Sequence, residues 1–274
     1  MLDQDKIIEI EKFVHQKPRS IQEIALLLRK NWRTADRYVD EIQQTYGTIS
    51  TRTFREGTRG ALKIVFYSGI EGISHSIFQQ QLEAQIASGR QRDDFFPFDI
   101  FQYVEDSNKK VESGNIKEIN DNFVKMLMQA KKQVLIFSGN LTFINEKYGR
   151  ETYLDILEKL VQKKVQIKVI CRVDIVGKKN VEKLLALNFK YNKEYIQIKH
   201  REQPLRGIII DNQICRLKET RSEEVEIEKE INLYYTINQR EWVEWLSKLF
   251  WKMYSTSVDA QTRLVALGRL IKEN

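Results

Sequence analysis

An α/β protein of two domains joined by a helical connector is what this sequence predicts. Three observations carry that expectation. Residues 20–67 place two short apolar helical stripes ahead of two strand-like runs. From Asn115 onward, apolar runs of strand length alternate with amphipathic stretches of helix length, the pattern of a mixed sheet covered by helices. The length of 274 residues fits two domains of roughly 100–200 residues each.

Residues 4–16 read as a helix whose Ile7, Ile8, Ile10 and Phe13 would cover the next two helices, with Pro18 stopping it. Ser20-Ile21-Gln22-Glu23 is a capping box, and Ile21, Ile24, Ala25 and Leu28 share one face of the helix it opens. After a break at Asn31, residues 32–46 form a second helix with Ala35, Val39 and Ile42 inward, ended by Gly47. Two such helices joined by a tight turn make a helix-turn-helix. Strands over 48–55 and 61–67, around a turn at 56–60, complete a winged helix-turn-helix over residues 1–68. Its outward residues suit a phosphate backbone: Trp32, Arg33, Thr34 and Arg37 on the second helix, and Arg52, Arg55, Arg59 and Lys63 on the wing. Nine basic against five acidic residues between Arg19 and Lys63 point the same way. Double-stranded DNA is the expected partner, and a protein surface is the alternative for the same fold.

Residues 69–114 are the connector. Residues 74–88 form a helix with Ile77, Phe78, Leu82 and Ile86 near one stripe, and Phe95, Phe96, Phe98, Phe101 and Tyr103 come next as an aromatic cluster. The stripe needs cover, from a second copy in a homodimer or from the rest of the same chain. Residues 106–114 read as a polar hinge. Within 115–274, helices are expected at 116–131, 151–163, 181–187, 241–257 and 259–271. Strands are expected at 134–137, 165–173, 195–199, 207–211, 214–217 and 231–237. Residues 221–230 hold five glutamates and read as a solvated loop or edge.

Composition excludes several classes. Hydrophobic residues make up 42% and charged residues 30%, with a formal net charge of +7, which suits a polyanionic partner. No apolar run approaches the 18 or so residues of a membrane span, and no signal peptide is visible, so a cytoplasmic protein is expected. Cys171 and Cys215 lack CxxC spacing, and the three histidines are scattered. No metal or cofactor is expected.

The second domain carries one informative motif, Pro204-Leu205-Arg206-Gly207-Ile208-Ile209-Ile210-Asp211. It resembles the His-x-Lys-x-x-x-x-Asp motif of the phospholipase D superfamily, over about residues 115–255. Asp211 is kept, Arg206 stands at the lysine, and Pro204 replaces the nucleophilic histidine, which removes covalent catalysis by that residue. His200, four residues earlier, is the remaining candidate for a displaced nucleophile. A winged helix, a connecting helix and a phospholipase-D-like domain without its histidine together resemble the TrmB-type archaeal transcription regulators. That resemblance implies a dimeric, ligand-responsive regulator with a small, sugar-like effector. The alternative is a phospholipase-D-like nuclease or phosphodiesterase brought to DNA by the winged helix. Ligand sites in α/β sheets lie at strand ends, so Ser138, Asn140, Arg172, Arg206 and Asp211 are expected to line the effector cleft. Two arginines there favour an anion. Alternatively, Asp211 caps its own turn, or Arg206 pairs with it.

Overall fold

The computed structural model describes residues 2, 4–45, 49–55, 61–67, 75–222 and 230–272, which divide into two compact units. The first is built from α1 (Gln4–Gln16), β1 (Arg19–Ser20), α2 (Ile21–Leu27), α3 (Trp32–Thr45), β2 (Ile49–Arg55) and β3 (Ala61–Tyr67). The capping box forms as expected. The Glu23 amide donates to Ser20 Oγ at 3.2 Å, and the Ser20 amide donates to the Glu23 carboxylate at 2.7 Å. The turn between α2 and α3 passes through Arg29 in the left-handed region, φ 51°. Asn31 Oδ1 then accepts from the Thr34 amide at 2.9 Å, which starts α3. The strands form one antiparallel sheet in the order β1-β3-β2, with Ile64 of β3 facing Ser20 on one side and Arg52 on the other. Ile10, Ile24, Val39, Ile42, Ile49 and Val65 are fully buried between helices and sheet. β1 lies outside the elements expected from sequence, because two residues carry no periodicity. Gly47 lies outside the described residues.

The next elements in the chain are α4 (His75–Ser88), α5 (Phe98–Phe101), β4 (Lys109–Glu112), α6 (Ile116–Leu127), β5 (Gln133–Phe137), β6 (Lys147–Tyr148), β7 (Glu151–Thr152), α7 (Tyr153–Gln162) and β8 (Gln166–Cys171). Then come α8 (Lys178–Lys190), β9 (Ile196–His200), β10 (Gly207–Ile210), β11 (Ile214–Ser222), β12 (Glu230–Ile237), α9 (Arg240–Ser255), β13 (Val258–Asp259) and α10 (Ala260–Lys272). An eight-stranded sheet runs β13-β9-β8-β5-β10-β11-β12-β4. β5, β8 and β9 are parallel, β10 is antiparallel to β5 and β11, and β4 is antiparallel to β12. This is the mixed sheet that the sequence predicts.

One face of the sheet buries Val134, Ile136, Ile167, Val169, Ile198 and Ile208 with residues of α6, α7, α8 and α10 in one apolar core. α9 takes up Phe137, whose ring meets Phe250 edge-on at 5.1 Å.

One expectation about residues 69–114 changes. Residues 109–112 are no hinge. They form the edge strand β4, in register with β12 through Glu112 opposite Tyr234. An edge strand needs no apolar alternation, so its polar sequence hid it. Leu82 and Ile86 are buried within the single chain, and Glu83 pairs with Lys252 of α9. Phe95, Phe98 and Phe101 are buried too, with the Phe101 ring 4.7 Å from that of Tyr235. Much of the stripe and the cluster is therefore covered by the chain itself. No described helix is long and apolar enough to cross a membrane.

Candidate functional site

In the first unit, α3 presents a polar face opposite its buried Ala35, Tyr38, Val39 and Ile42. Trp32 is 55% exposed. Arg33 and Arg37 are exposed and Thr34 is half-buried. The guanidinium of Arg33 lies 5.5 Å from the Trp32 ring, and that of Arg37 lies 5.5 Å from the Tyr38 ring. Neither arginine is in an ion pair with a described residue. Arg52 is half-buried on β2. Arg55 closes β2 with its side chain outside the described residues, and Arg59 lies outside them altogether.

Lys63 is a correction. Its Nζ sits 2.6 Å from carboxylate oxygens of both Asp36 and Asp40, so it ties β3 to α3 instead of reaching outward as an open phosphate contact. Burial lowers its pKa, but the hydrogen bonds and charges of the two aspartates outweigh that and raise it. The tie also offsets part of the negative charge of Asp36 and Asp40, which lie on either side of Arg37 in the sequence. Lys63→Met should cost about 1 kcal/mol in urea denaturation, since the group is partly exposed. In an Asp36→Asn, Asp40→Asn background the same change should cost nothing. Equal losses in both backgrounds would show that the tie contributes nothing.

The second unit contains a cavity of about 350 Å³ above the carboxyl end of β5. Ser138, Asn140, Arg172 and Arg206 all line it, so four of the five residues expected from sequence meet there. Strand order explains this: β5 lies between β8 and β10, so the chain leaving β5 and β8 and the chain entering β10 share one sheet end. Arg206 lies flat on Gly139, where an added Cβ would meet its guanidinium nitrogens at 3.0 and 3.1 Å. Its Nη1 donates to the carbonyls of Gln203 and Leu205, at 3.0 and 2.7 Å. No described carboxylate pairs with it. Burial, then the nearby Arg172 and Arg92, push its pKa down to about 10, against the opposing charge of Asp93.

The loop after β5 holds this end of the cavity in shape. The Arg172 amide donates to the Gly139 carbonyl at 2.6 Å, while the Arg172 side chain pairs with Asp174 at 2.8 Å. Ser138 Oγ accepts from the Leu141 amide at 3.2 Å. Leu141 is fully buried and left-handed, φ 60°. The Asn140 carboxamide makes no hydrogen bond to a described residue. Gly207 must be glycine, because a Cβ there would stand 2.4 Å from the Arg216 carbonyl oxygen.

Asp211 is the second correction. It sits in the β10–β11 turn at φ 50°, at the opposite end of β10 from Gly207 and the cavity. Its carboxylate accepts from the amides of Lys131, Lys132 and Gln133 at 2.7, 2.8 and 2.8 Å. It therefore neither lines the cavity nor pairs with Arg206. His200 is no part of the cavity wall either: its Nδ1 accepts from the Val173 amide at 2.9 Å. Pro204 is buried. Among the described residues, the wall contains neither histidine nor cysteine.

Sequence reasoning missed the other end of the cavity. Phe123 of α6, Phe143 and Glu146 of the loop after β5, Tyr153 of α7, Arg216 of β11 and Tyr234 of β12 converge there. The rings of Phe123 and Tyr153 are 5.4 Å apart, and the Arg216 guanidinium is 5.1 Å from the Tyr234 ring. Burial, then the nearby Glu146, pushes the Tyr153 phenol up to about 12. The alternation of Arg216, Lys218 and Thr220 along β11 was the available signal for a polar strand face.

No protein-family model and no curated protein matches this chain. Among solved structures, TrmBL2, an archaeal chromatin protein with a novel mode of DNA binding, is 10% identical. It covers 94% of each chain with a TM-score of 0.43. Nuc from Salmonella typhimurium, a phospholipase D family member, is 12% identical over 55% of this chain and 97% of its own, with a TM-score of 0.41. NucT from Helicobacter pylori is 10% identical over 55% of this chain and 98% of its own, with a TM-score of 0.42. Likenesses this distant carry no functional conclusion.

Proposed function

We propose that this chain is a DNA-binding transcription regulator. Its first unit acts as a winged helix, and its second as a phospholipase-D-like domain that binds a small anionic effector without catalysis. The observation that carries this reading is the face of α3, where Trp32, Arg33 and Arg37 stand exposed while Lys63 engages the carboxylates of Asp36 and Asp40. Such a face offers cations to phosphates and side chains to base edges. Arg206, without a described carboxylate partner in the cavity, supports an anionic effector. A wall whose described residues include no His or Cys supports binding over cleavage. A homodimer matches the two-fold symmetry of operator DNA.

Titration of a labelled duplex at several salt concentrations tests the reading. Log affinity should fall with log salt by about 0.9 for each phosphate contacted, with two chains per duplex at saturation. Arg37→Ala should cost about 1–3 kcal/mol on a selected site and little on random DNA. The duplex should be recovered intact from the metal-free complex. Equal losses on both duplexes would remove base reading by Arg37. A nicked duplex would favour the nuclease alternative.

A further inference from the structure

The cavity has two chemically distinct ends, and together they describe its ligand more narrowly than charge does. At one end are the Arg206 guanidinium, Arg172 and the Ser138-Gly139-Asn140 loop. At the other, aromatic rings carry unengaged polar groups. Asn120, Glu146, Tyr153 and Tyr234 all line the cavity, and their side-chain polar groups make no hydrogen bond to a described residue. Between the ends, Ile136 and Ile208 lie side by side on paired strands.

Each simpler ligand leaves part of this wall unused. Inorganic phosphate would satisfy the arginines and leave the aromatic end empty. A neutral sugar would leave Arg206 uncompensated in a poorly solvated site. A purely apolar group would bury the carboxamide, the carboxylate and both phenols without partners. A heterocyclic base fits the second end, because its faces stack on aromatic rings and its edge carries the donors and acceptors that Asn and Glu recognise.

We propose that the cavity is a nucleotide site, with a phosphate held by Arg206 and Arg172 and a base set against Phe123, Tyr153 and Tyr234. The assignment rests on the reading of the second unit as a ligand-binding domain and names the class of its effector. Arg206 forks toward two phosphate oxygens. Ser138 and Asn140 supply neutral donors beside it. Glu146 accepts from the amino or imino hydrogens of the base, which selects bases that carry them.

Thermal unfolding of the full chain tests this with the four ribonucleoside 5′-monophosphates, the unphosphorylated nucleosides, ribose 5-phosphate, inorganic phosphate and a 5′-phosphorylated single strand. One or more monophosphates, at about a hundredfold over the dissociation constant, should raise the midpoint by about 5–10 °C. Nucleosides, ribose 5-phosphate and phosphate at the same concentration should move it far less. Arg206→Lys, which keeps the charge but loses the fork, should weaken the nucleotide response at least tenfold, and Glu146→Gln should reorder the preference among bases. A response to the single strand as well would assign the site to strand ends, and a response to monophosphates alone to free nucleotides. Equal shifts by ribose 5-phosphate and nucleotides, or no shift by any nucleotide, would overturn the assignment. If nucleotides bind but leave duplex affinity unchanged, the regulator reading fails and the nucleotide site stands.

Discussion

Glu112→Ala should destabilise the second unit by about 3–5 kcal/mol, because it strands a buried arginine. Glu112 Oε2 lies 2.7 Å from Arg216 Nη1, and the Arg216 side chain is only 5% exposed. The same carboxylate accepts from Asn122 at 2.6 Å and from Lys110 at 3.1 Å. Without it, Arg216 keeps its contacts with the rings of Tyr234 and Phe123 and one long bond to the Ile119 carbonyl, too little to offset its desolvation. Glu112→Gln should cost less, since it preserves shape and some hydrogen bonding.

The pair also gives the unit an acid limit. Burial alone would raise the Glu112 pKa, but the Asn122 bond and the charges of Arg216 and Lys110 outweigh it and hold the carboxyl below its ordinary value. A depressed carboxyl contributes stability that is fully present above its unfolded pKa, about 4.3. That contribution is lost as pH falls through the lower, folded value. Urea midpoints at pH 7, 5 and 3 should converge for wild type and Glu112→Ala only at the most acid point. Identical midpoints at pH 7 would show that the pair holds nothing together.

Asp211→Ala should be nearly as damaging, at roughly 2–4 kcal/mol. Three amide bonds to one carboxylate disappear, and alanine tolerates the left-handed turn poorly. Asp211→Asn should lose less, because asparagine accepts that backbone and keeps one oxygen. Neither change should alter the response to nucleotides, since the turn lies at the far end of β10. An Asp211→Ala protein of wild-type stability that no longer responded to ligand would return this residue to the cavity.

What the sequence disclosed and what it hid depend on where each signal resides. Ser20-x-x-Glu23 disclosed the start of α2 because a capping box is local, and the bonds formed are those its spacing predicts. The strands 134–137 and 207–210 were visible because buried strands are continuously apolar, and their order brought Ser138 and Arg206 to one end. The resemblance around Pro204 to Asp211 pointed to Arg206, which lines the cavity, and to Asp211, which does not. A carboxylate four residues further along a strand than a cavity-facing glycine is carried about 13 Å away from it. Lys63 misled for a related reason: alternation says that a wing residue faces outward from its own core, not whether two aspartates await it on a helix. The aromatic end comes from α6, α7, β11, β12 and a loop. No local pattern joins those segments before the sheet is assembled.

Leu141 has a consequence for how any molecule enters the cavity. A leucine at φ 60° gives up about 1–2 kcal/mol of backbone energy, and it is held there by complete burial of its side chain. The adjoining Ser138-Gly139-Asn140 backbone is fastened on both sides, by the Leu141 amide to Ser138 Oγ and by the Arg172 amide to the Gly139 carbonyl. Its conformational entropy was surrendered when the chain folded, so none remains to be surrendered on association. Binding there should proceed at a rate first order in ligand up to high concentration, without the plateau that a slow loop closure imposes. The heat-capacity change should reflect only the apolar surface covered.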